Sequence, residues 1–263
     1  MPHTHFLING ERYTTEEAIN IASEKGHLDH WLPSALRGMV QTREDGGRHL
    51  SPSSANDCVR KAILKEREPY DLNPEKLWAA FVGNAVHNNF EEDDDSDELK
   101  ELFLSTTLQV DIGDGIVVEV VLKGTIDRYN VTHKRITDIK TVSEFMKYNP
   151  VLKRGADRVA ADTNHQLQLQ LYKLLLEDNG YPVEEAFVWY VQTYKEARRN
   201  VFSLDLMETE DIREMATELA VEVAEYLYDG TIPEAFLPEH PLYVFCAYCP
   251  VLQQCRRLSD SNS

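Results

Sequence analysis

The 263-residue chain is short of positive charge, of cysteine and of long apolar runs. Lysine and arginine total 27 against 45 aspartates and glutamates, a net charge of −18, which excludes nucleic-acid binding through a wholly basic surface. No stretch approaches the roughly 20 apolar residues of a membrane span. The opening MPHTHFLINGERYTT has no basic segment followed by an apolar one, so a non-secretory, cytoplasmic protein is expected, with no membrane association. There is no Walker-type glycine-rich phosphate loop, which argues against a fused nucleotide-driven motor. With only four cysteines, 12 glycines and 11 prolines, the chain is neither a disulfide scaffold nor a low-complexity segment.

The charge that is present is unevenly spread. EEDDDSDE, Glu91 to Glu98, holds seven acids, and a second acidic stretch covers Glu208 to Glu225. Basic residues gather at Lys147, Lys153, Arg154 and Arg158, at Lys195, Arg198 and Arg199, and at Arg256 and Arg257. The acidic runs read as solvated faces that maintain solubility. A local basic track on such a shell still attracts phosphate, because the local field governs contact.

Periodicity and turn residues divide the chain into four parts. Residues 1–50 form an extension of unassigned role, with one capped helix expected from Thr14 to Gly26. Residues 51–103 read as helical, with a helix from Asp57 to Glu66 carrying Cys58 in its first turn and another from Leu77 to Glu92. Residues 104–229 form the core. Leu104 to Asp111, Gly115 to Tyr129 and Lys134 to Lys140 are rich in Val, Ile and Thr and are separated by turn residues, which predicts an antiparallel three-strand meander. A Pro- and Arg-containing connection from Tyr148 to Asp162 follows. Then come an amphipathic helix over Thr163 to Asp178, a strand over Glu185 to Thr193 and one long helix over Glu208 to Tyr228. Residues 230–263 form a Cys-rich tail. The order describes an α/β fold, a mixed sheet flanked by helices.

The most informative segment is GTIDRYNVTHKRITDIKT, Gly124 to Thr141. Residues two apart on a strand share a face, so Asp138 and Lys140 project side by side while Ile139 points into the core. A hairpin brings Asp127 to the same end. Two carboxylates are hard oxygen donors suited to Mg²⁺ or Mn²⁺. A neighbouring lysine orients or deprotonates water, or neutralises an oxyanion. Taken alone, the triplet is better explained by a surface salt bridge in a hairpin.

GTIDRYN followed by ITDIKT resembles the signature of the PD-(D/E)XK nucleases, within their RecB-like branch. Asp127 matches the first acid and Asp138-Ile139-Lys140 the (D/E)-x-K element, with Ile126 where proline is usual. Upstream, FVGNAVHNNFEE is similar to the family's Gly-x-x-x-His helix, through Gly83 and His87. Downstream, HQLQLQLYKLLLE carries Gln168 and Tyr172, four apart and on one helix face, as the family's Gln-x-x-x-Tyr. The resemblance implies that His87, Asp127, Asp138 and the main-chain carbonyl of Ile139 bind one or two Mn²⁺ or Mg²⁺ ions. It implies that Lys140 activates water and that Gln168 and Tyr172 support the substrate.

FCAYCPVLQQCR supplies Cys246, Cys249 and Cys255, while Cys58 lies 188 residues before Cys246. Thiolates at such spacing bind iron or zinc. Three local ligands and one remote one, flanking the acidic elements, resemble the 4Fe–4S nucleases of the AddB and CRISPR-associated Cas-four type. SPSSANDCVRKAIL resembles their first-cysteine segment. The expectation is a 4Fe–4S cluster joining the N- and C-terminal segments. By resemblance the activity is metal-dependent exonucleolytic hydrolysis of single-stranded DNA or DNA ends, 5′ to 3′, in CRISPR spacer acquisition or in viral or cellular recombination and repair. The partners implied are DNA, with CRISPR integration or recombination proteins, and rings are known in the family. Lys153, Arg154 and Arg158 are the expected phosphate guides. The alternative is a DNA-binding adaptor with a nuclease-like fold and a structural metal cluster.

Overall fold

The computed structural model describes residues 5–39, 47–55, 57–68, 70–75, 78, 82–83, 85–86, 97–142, 146–149, 154–157, 161–192, 199–236, 246 and 249–261. The chain divides into two compact units, one comprising residues 1–48, 57–82 and 222–263, the other residues 49–56 and 83–221.

The first unit opens with a hairpin of strands β1 (His5–Ile8) and β2 (Glu11–Thr14). Asn9 and Gly10 turn it with φ of 51° and 81°, the left-handed pair that matches strand twist in a two-residue turn. Helix α1 (Thr15–Lys25) follows at once. Thr14 and Glu17 form a reciprocal capping box, and Gly26 ends the helix at φ 83°. Helices α2 (Pro33–Met39) and α3 (Val59–Arg67) come next, then strand β3 (Asp71–Leu72), which lies parallel to β1. The core of this unit gathers Phe6, Ile8, Ala18, Ala22, Leu36, Leu64, Tyr70, Leu72 and Val251. The N-terminal residues, without an assigned role in sequence, therefore pack with the cysteine-bearing segments. Residues 78, 82–83 and 85–86 are helical, within the helix expected over Leu77 to Glu92, as are residues 74–75 before it, while residues 87–92 lie outside the described residues.

The second unit is a five-stranded mixed sheet. Strands β4 (Glu98–Asp111) and β5 (Val117–Asn130) form a long hairpin, and β6 (Arg135–Val142) completes the predicted meander. A small antiparallel pair, β7 (Met146–Asn149) and β8 (Arg154–Asp157), overlaps part of the connection expected from Tyr148 to Asp162. Helix α4 (Thr163–Asp178) then crosses to β9 (Glu185–Gln192), which runs parallel to β6. Parallel neighbours need such a crossover, and α4 supplies it. Its Leu169, Leu171, Leu174, Leu175 and Leu176 are buried, and it packs across β4, β5, β6 and β9. Strand β10 (Arg199–Ser203) closes the order β10-β9-β6-β5-β4.

The long helix expected from Glu208 to Tyr228 is instead two, α5 (Thr209–Leu219) and α6 (Val221–Asp229), broken at Ala220. The amide of Ala220 is shared among the carbonyls of Ala216, Thr217 and Glu218, which tightens the last turn and interrupts the helical ladder. Helix α7 (Leu252–Ser261) packs on α3 within the first unit. Among the described residues no helix is long and apolar enough to cross a membrane.

Candidate active site

Strands β5 and β6 pair at Asn130↔Arg135, Tyr129↔Ile136 and Arg128↔Thr137, and there the ladder stops. The next opposed residues would be Asp127 and Asp138. Instead of a main-chain bond, the Asp127 carboxylate accepts the amide of Ile139 at 2.8 Å. A side chain thus replaces the ladder where the strands part, and both carboxylates sit in the opening. Lys140 Nζ lies 2.9 Å from each oxygen of Asp138. Asp138 is only 1 % exposed, and its Oδ2 takes no well-directed hydrogen bond. Burial pushes the Asp138 carboxyl up, Lys140 pulls it down, and Asp127 pushes it up again. Ile139 faces the opposite way into the core, 2 % exposed, as its strand position requires.

Helix α4 covers the opening. Gln168 Nε2 donates to Tyr172 Oη at 3.0 Å, and both side chains are buried. Burial, together with the charges of Asp138, Asp127 and Glu101, raises the Tyr172 phenol well above its ordinary value, so it stays a neutral hydroxyl. Gln168 and Tyr172 are therefore interior polar groups, and a buried polar pair of this kind fixes geometry.

The ring of Tyr172 rests against Gly124, three residues before Asp127. A Cβ on Gly124 would stand 3.0 Å from Pro52 Cδ and 3.1 Å from Tyr172 Cε1, so only glycine lets both approach the strand. Pro52 is held there because Leu50 laces onto β5, accepting from Lys123 and donating to Val121. Gly124→Ala is expected to cost about 1–3 kcal/mol by overpacking and to lower turnover by displacing Tyr172. Thermal melts and cleavage rates of this variant check it. An alanine variant with wild-type values for both would show that the contact is dispensable.

Two residues near the site were not foreseen. His165 Nδ1 lies 2.7 Å from Tyr190 Oη, which also accepts the Asp162 amide at 2.9 Å. The charge of His165 reaches Asp138 and favours its ionised form. Its position three residues before Gln168 on one helix face was a readable signal. Glu101 had no such signal. The β4–β5 ladder pairs Lys100 with Arg128 and Leu102 with Ile126, leaving Glu101 opposite Asp127. Glu101 is left-handed at φ 47°, uncommon for a non-glycine residue.

The remaining expected residues divide as follows. A Cβ at Gly83 would meet Thr141 Oγ1 at 3.3 Å, so Gly83 lies close beside the strand end that carries Lys140. His87, Lys153 and Arg158 lie outside the described residues. Only the backbone of Arg154, in β8, is described.

None of the four cysteines is in a disulfide, and all belong to the first unit. Cys58 is the N-cap of α3 rather than a residue of its first turn, and its Sγ accepts the Lys61 amide at 3.4 Å. Cys249 and Cys255 pack against the unit's core. Burial raises the Cys58 thiol to about 11, with Cys249 and Cys255 adding to the shift. Cys249 is raised too, first by burial, with Cys246 and Cys255 contributing.

Among the described residues, no three His, Cys, Asp or Glu side chains stand ready around one point to hold an ion. The donor chemistry nevertheless fits the groups that the sequence implies. A divalent ion suits the nearly sealed Asp138 carboxylate with its unsatisfied oxygen beside Asp127. Iron or zinc suits soft sulfur donors that raise one another's pKa, because a cation reverses that repulsion.

No curated protein sequence matches the chain. The solved structure of SSO0001 is similar, with a TM-score of 0.53 at 15% identity, covering 92% of this chain and 95% of that one. A protein of Eubacterium rectale, named as a candidate exonuclease, is similar with a TM-score of 0.51 at 12% identity, covering 75% of this chain and 93% of its own. At these identities the likeness is one of fold. The family model of the PD-(D/E)XK nuclease superfamily matches residues 2–256, nearly the whole chain. With Asp127, Asp138 and Lys140 gathered where β5 and β6 part, the chain belongs to the PD-(D/E)XK nuclease superfamily.

Proposed function

We propose that the protein is a divalent-metal-dependent DNA exonuclease that acts on single-stranded DNA or DNA ends. The observation that carries this reading is the parting of β5 and β6, where Asp127 holds the Ile139 amide and Lys140 holds Asp138. Asp127, Asp138, the Ile139 carbonyl and His87 would hold Mn²⁺ or Mg²⁺, which supplies a Lewis acid and a more acidic water when bound. The chain's own groups do the rest. Asp127 pins the main chain of Ile139, which fixes the direction of its carbonyl. Lys140, released from Asp138 once that carboxylate is otherwise engaged, orients the attacking water or steadies charge on the phosphate. Gln168 and Tyr172 set the floor beneath the phosphate and keep water from the sheet side. Lys153, Arg154 and Arg158 guide the strand by charge.

The four cysteines are assigned to a 4Fe–4S cluster of structural role that ties α3 to the C-terminal segment. The 5′ to 3′ polarity, the cytoplasmic setting and a place in spacer acquisition or in recombination and repair rest on the sequence resemblance.

The test is degradation of single-stranded DNA labelled at either end, with Mn²⁺ or Mg²⁺, by the wild type and Lys140→Ala. Products released stepwise from the 5′ label, and at least about a hundredfold less with Lys140→Ala, support the reading. No turnover in either metal, with DNA still bound, favours the adaptor. Internal fragments without end dependence overturn the exonuclease assignment.

A further inference from the structure

Arg60 is 5 % exposed and sits in the first turn of α3, two residues after Cys58. A guanidinium there meets the positive end of the helix dipole, so its burial demands strong acceptors. Among the described residues, three such contacts reach the C-terminal segments. Nε donates to Cys255 Sγ at 3.1 Å, Nη2 to the Cys255 carbonyl at 3.2 Å, and Nη1 to the Pro233 carbonyl at 2.7 Å. The fork thus grips one cysteine by sulfur and main chain together. A neutral thiol sulfur is a weak acceptor and a thiolate a far stronger one. A buried charged donor aimed at Sγ is matched to the metal-binding form of cysteine.

The neighbouring residue repeats the pattern. The Lys61 amide donates to Cys58 Sγ at 3.4 Å. One helix turn therefore supplies an N–H to each of two sulfurs whose residues lie far apart in sequence. Hydrogen bonds to ligating sulfur, and charge close to it, set both the retention and the potential of an iron–sulfur centre.

We infer that Arg60 is the positioning residue of the four-cysteine site, fixing the sulfur and main chain of Cys255 in place and offsetting the negative charge that a bound cluster places on sulfur. The inference rests on the cluster assignment proposed above.

The experiment uses the full chain, reconstituted anaerobically with iron and sulfide, as wild type, Arg60→Gln and Arg60→Lys. Iron release to a chelator and the midpoint potential are measured for each, with circular dichroism to confirm folding. Arg60→Gln is expected to release iron about tenfold faster. Its potential should move to more negative values, because reduction adds an electron to a site that has lost its cation. Arg60→Lys keeps the charge but not the fork, so its potential stays near the wild type while its iron leaves several-fold faster. Wild-type release and potential in Arg60→Gln overturn the inference. So does faster release with an unmoved potential, since a purely structural bridge would give that. Should Arg60→Gln fail to fold, wild-type iron release in Arg60→Lys overturns it instead. A wild type that takes up no iron is a different failure: it removes the cluster assignment itself, and Arg60's role with it.

Discussion

Asp138→Asn will abolish metal-dependent cleavage without destabilising the metal-free protein. Activity should fall at least about a hundredfold, the scale of loss when one preorganised electrostatic group leaves an active site. The stability half of the prediction follows from burial. Asp138 is 1 % exposed and has one oxygen with no directed hydrogen bond. Two effects compete. Losing the carboxylate takes a partner from Lys140, which alone would destabilise. Losing it also removes a charge from a dry site beside Asp127.

The direction of the Asp138 shift decides between them. Its carboxyl is raised despite Lys140, so the folded state disfavours the ionised form more than the unfolded state does. The neutral amide escapes that penalty, and Lys140, with its side chain 22% exposed, can be met by solvent. Thermal melts in a chelator should therefore place Asp138→Asn at or above the wild type, and added Mn²⁺ should raise only the wild type. The arrangement would then be strain held for function. A variant that melts several degrees lower in chelator, or that still cleaves with Mn²⁺, contradicts the account.

Cys249→Ala will lose its iron and its thermal stability together. The proposed cluster would join Cys58 to cysteines 188 residues and more along the chain. By the chain-entropy relation for a crosslink, closing so long a loop is worth about 5 kcal/mol. For a chain of this size that corresponds to roughly 10–20 °C in Tm. Metal affinity for a site that exists only in the folded state is itself folding free energy, which acts in the same direction. Absorbance in the visible range, iron analysis and a melt on the same preparation test the prediction. A colourless variant with wild-type stability and cleavage would leave the thiols without a structural role.

Elements with strong local signals were legible before any coordinates. Helix α4 spans Thr163–Asp178 as expected, because Asp162 caps its start through the Asn164 amide and Asn179-Gly180 ends it. The meander was legible from Gly113-Asp114-Gly115, all three at positive φ. The Asn9-Gly10 hairpin carried an equally clear signal in a stretch left without an assigned role. By contrast, the break at Ala220 has no glycine or proline to announce it. The β7–β8 pair sits between residues whose composition suggests an irregular connection.

The same division runs through the candidate site. The chemical identities of Asp127, Asp138, Lys140, Gln168, Tyr172 and the four cysteines stand in the sequence, because residue type and short spacing dictate which groups donate oxygen, nitrogen or sulfur and which share a face. Tertiary structure alone decided that Asp127 takes the Ile139 amide, that Glu101 lies opposite Asp127, and that Arg60 reaches Cys255 across 195 positions. Each of these depends on strand register or on packing between distant segments, and no local pattern encodes which distant partners will meet.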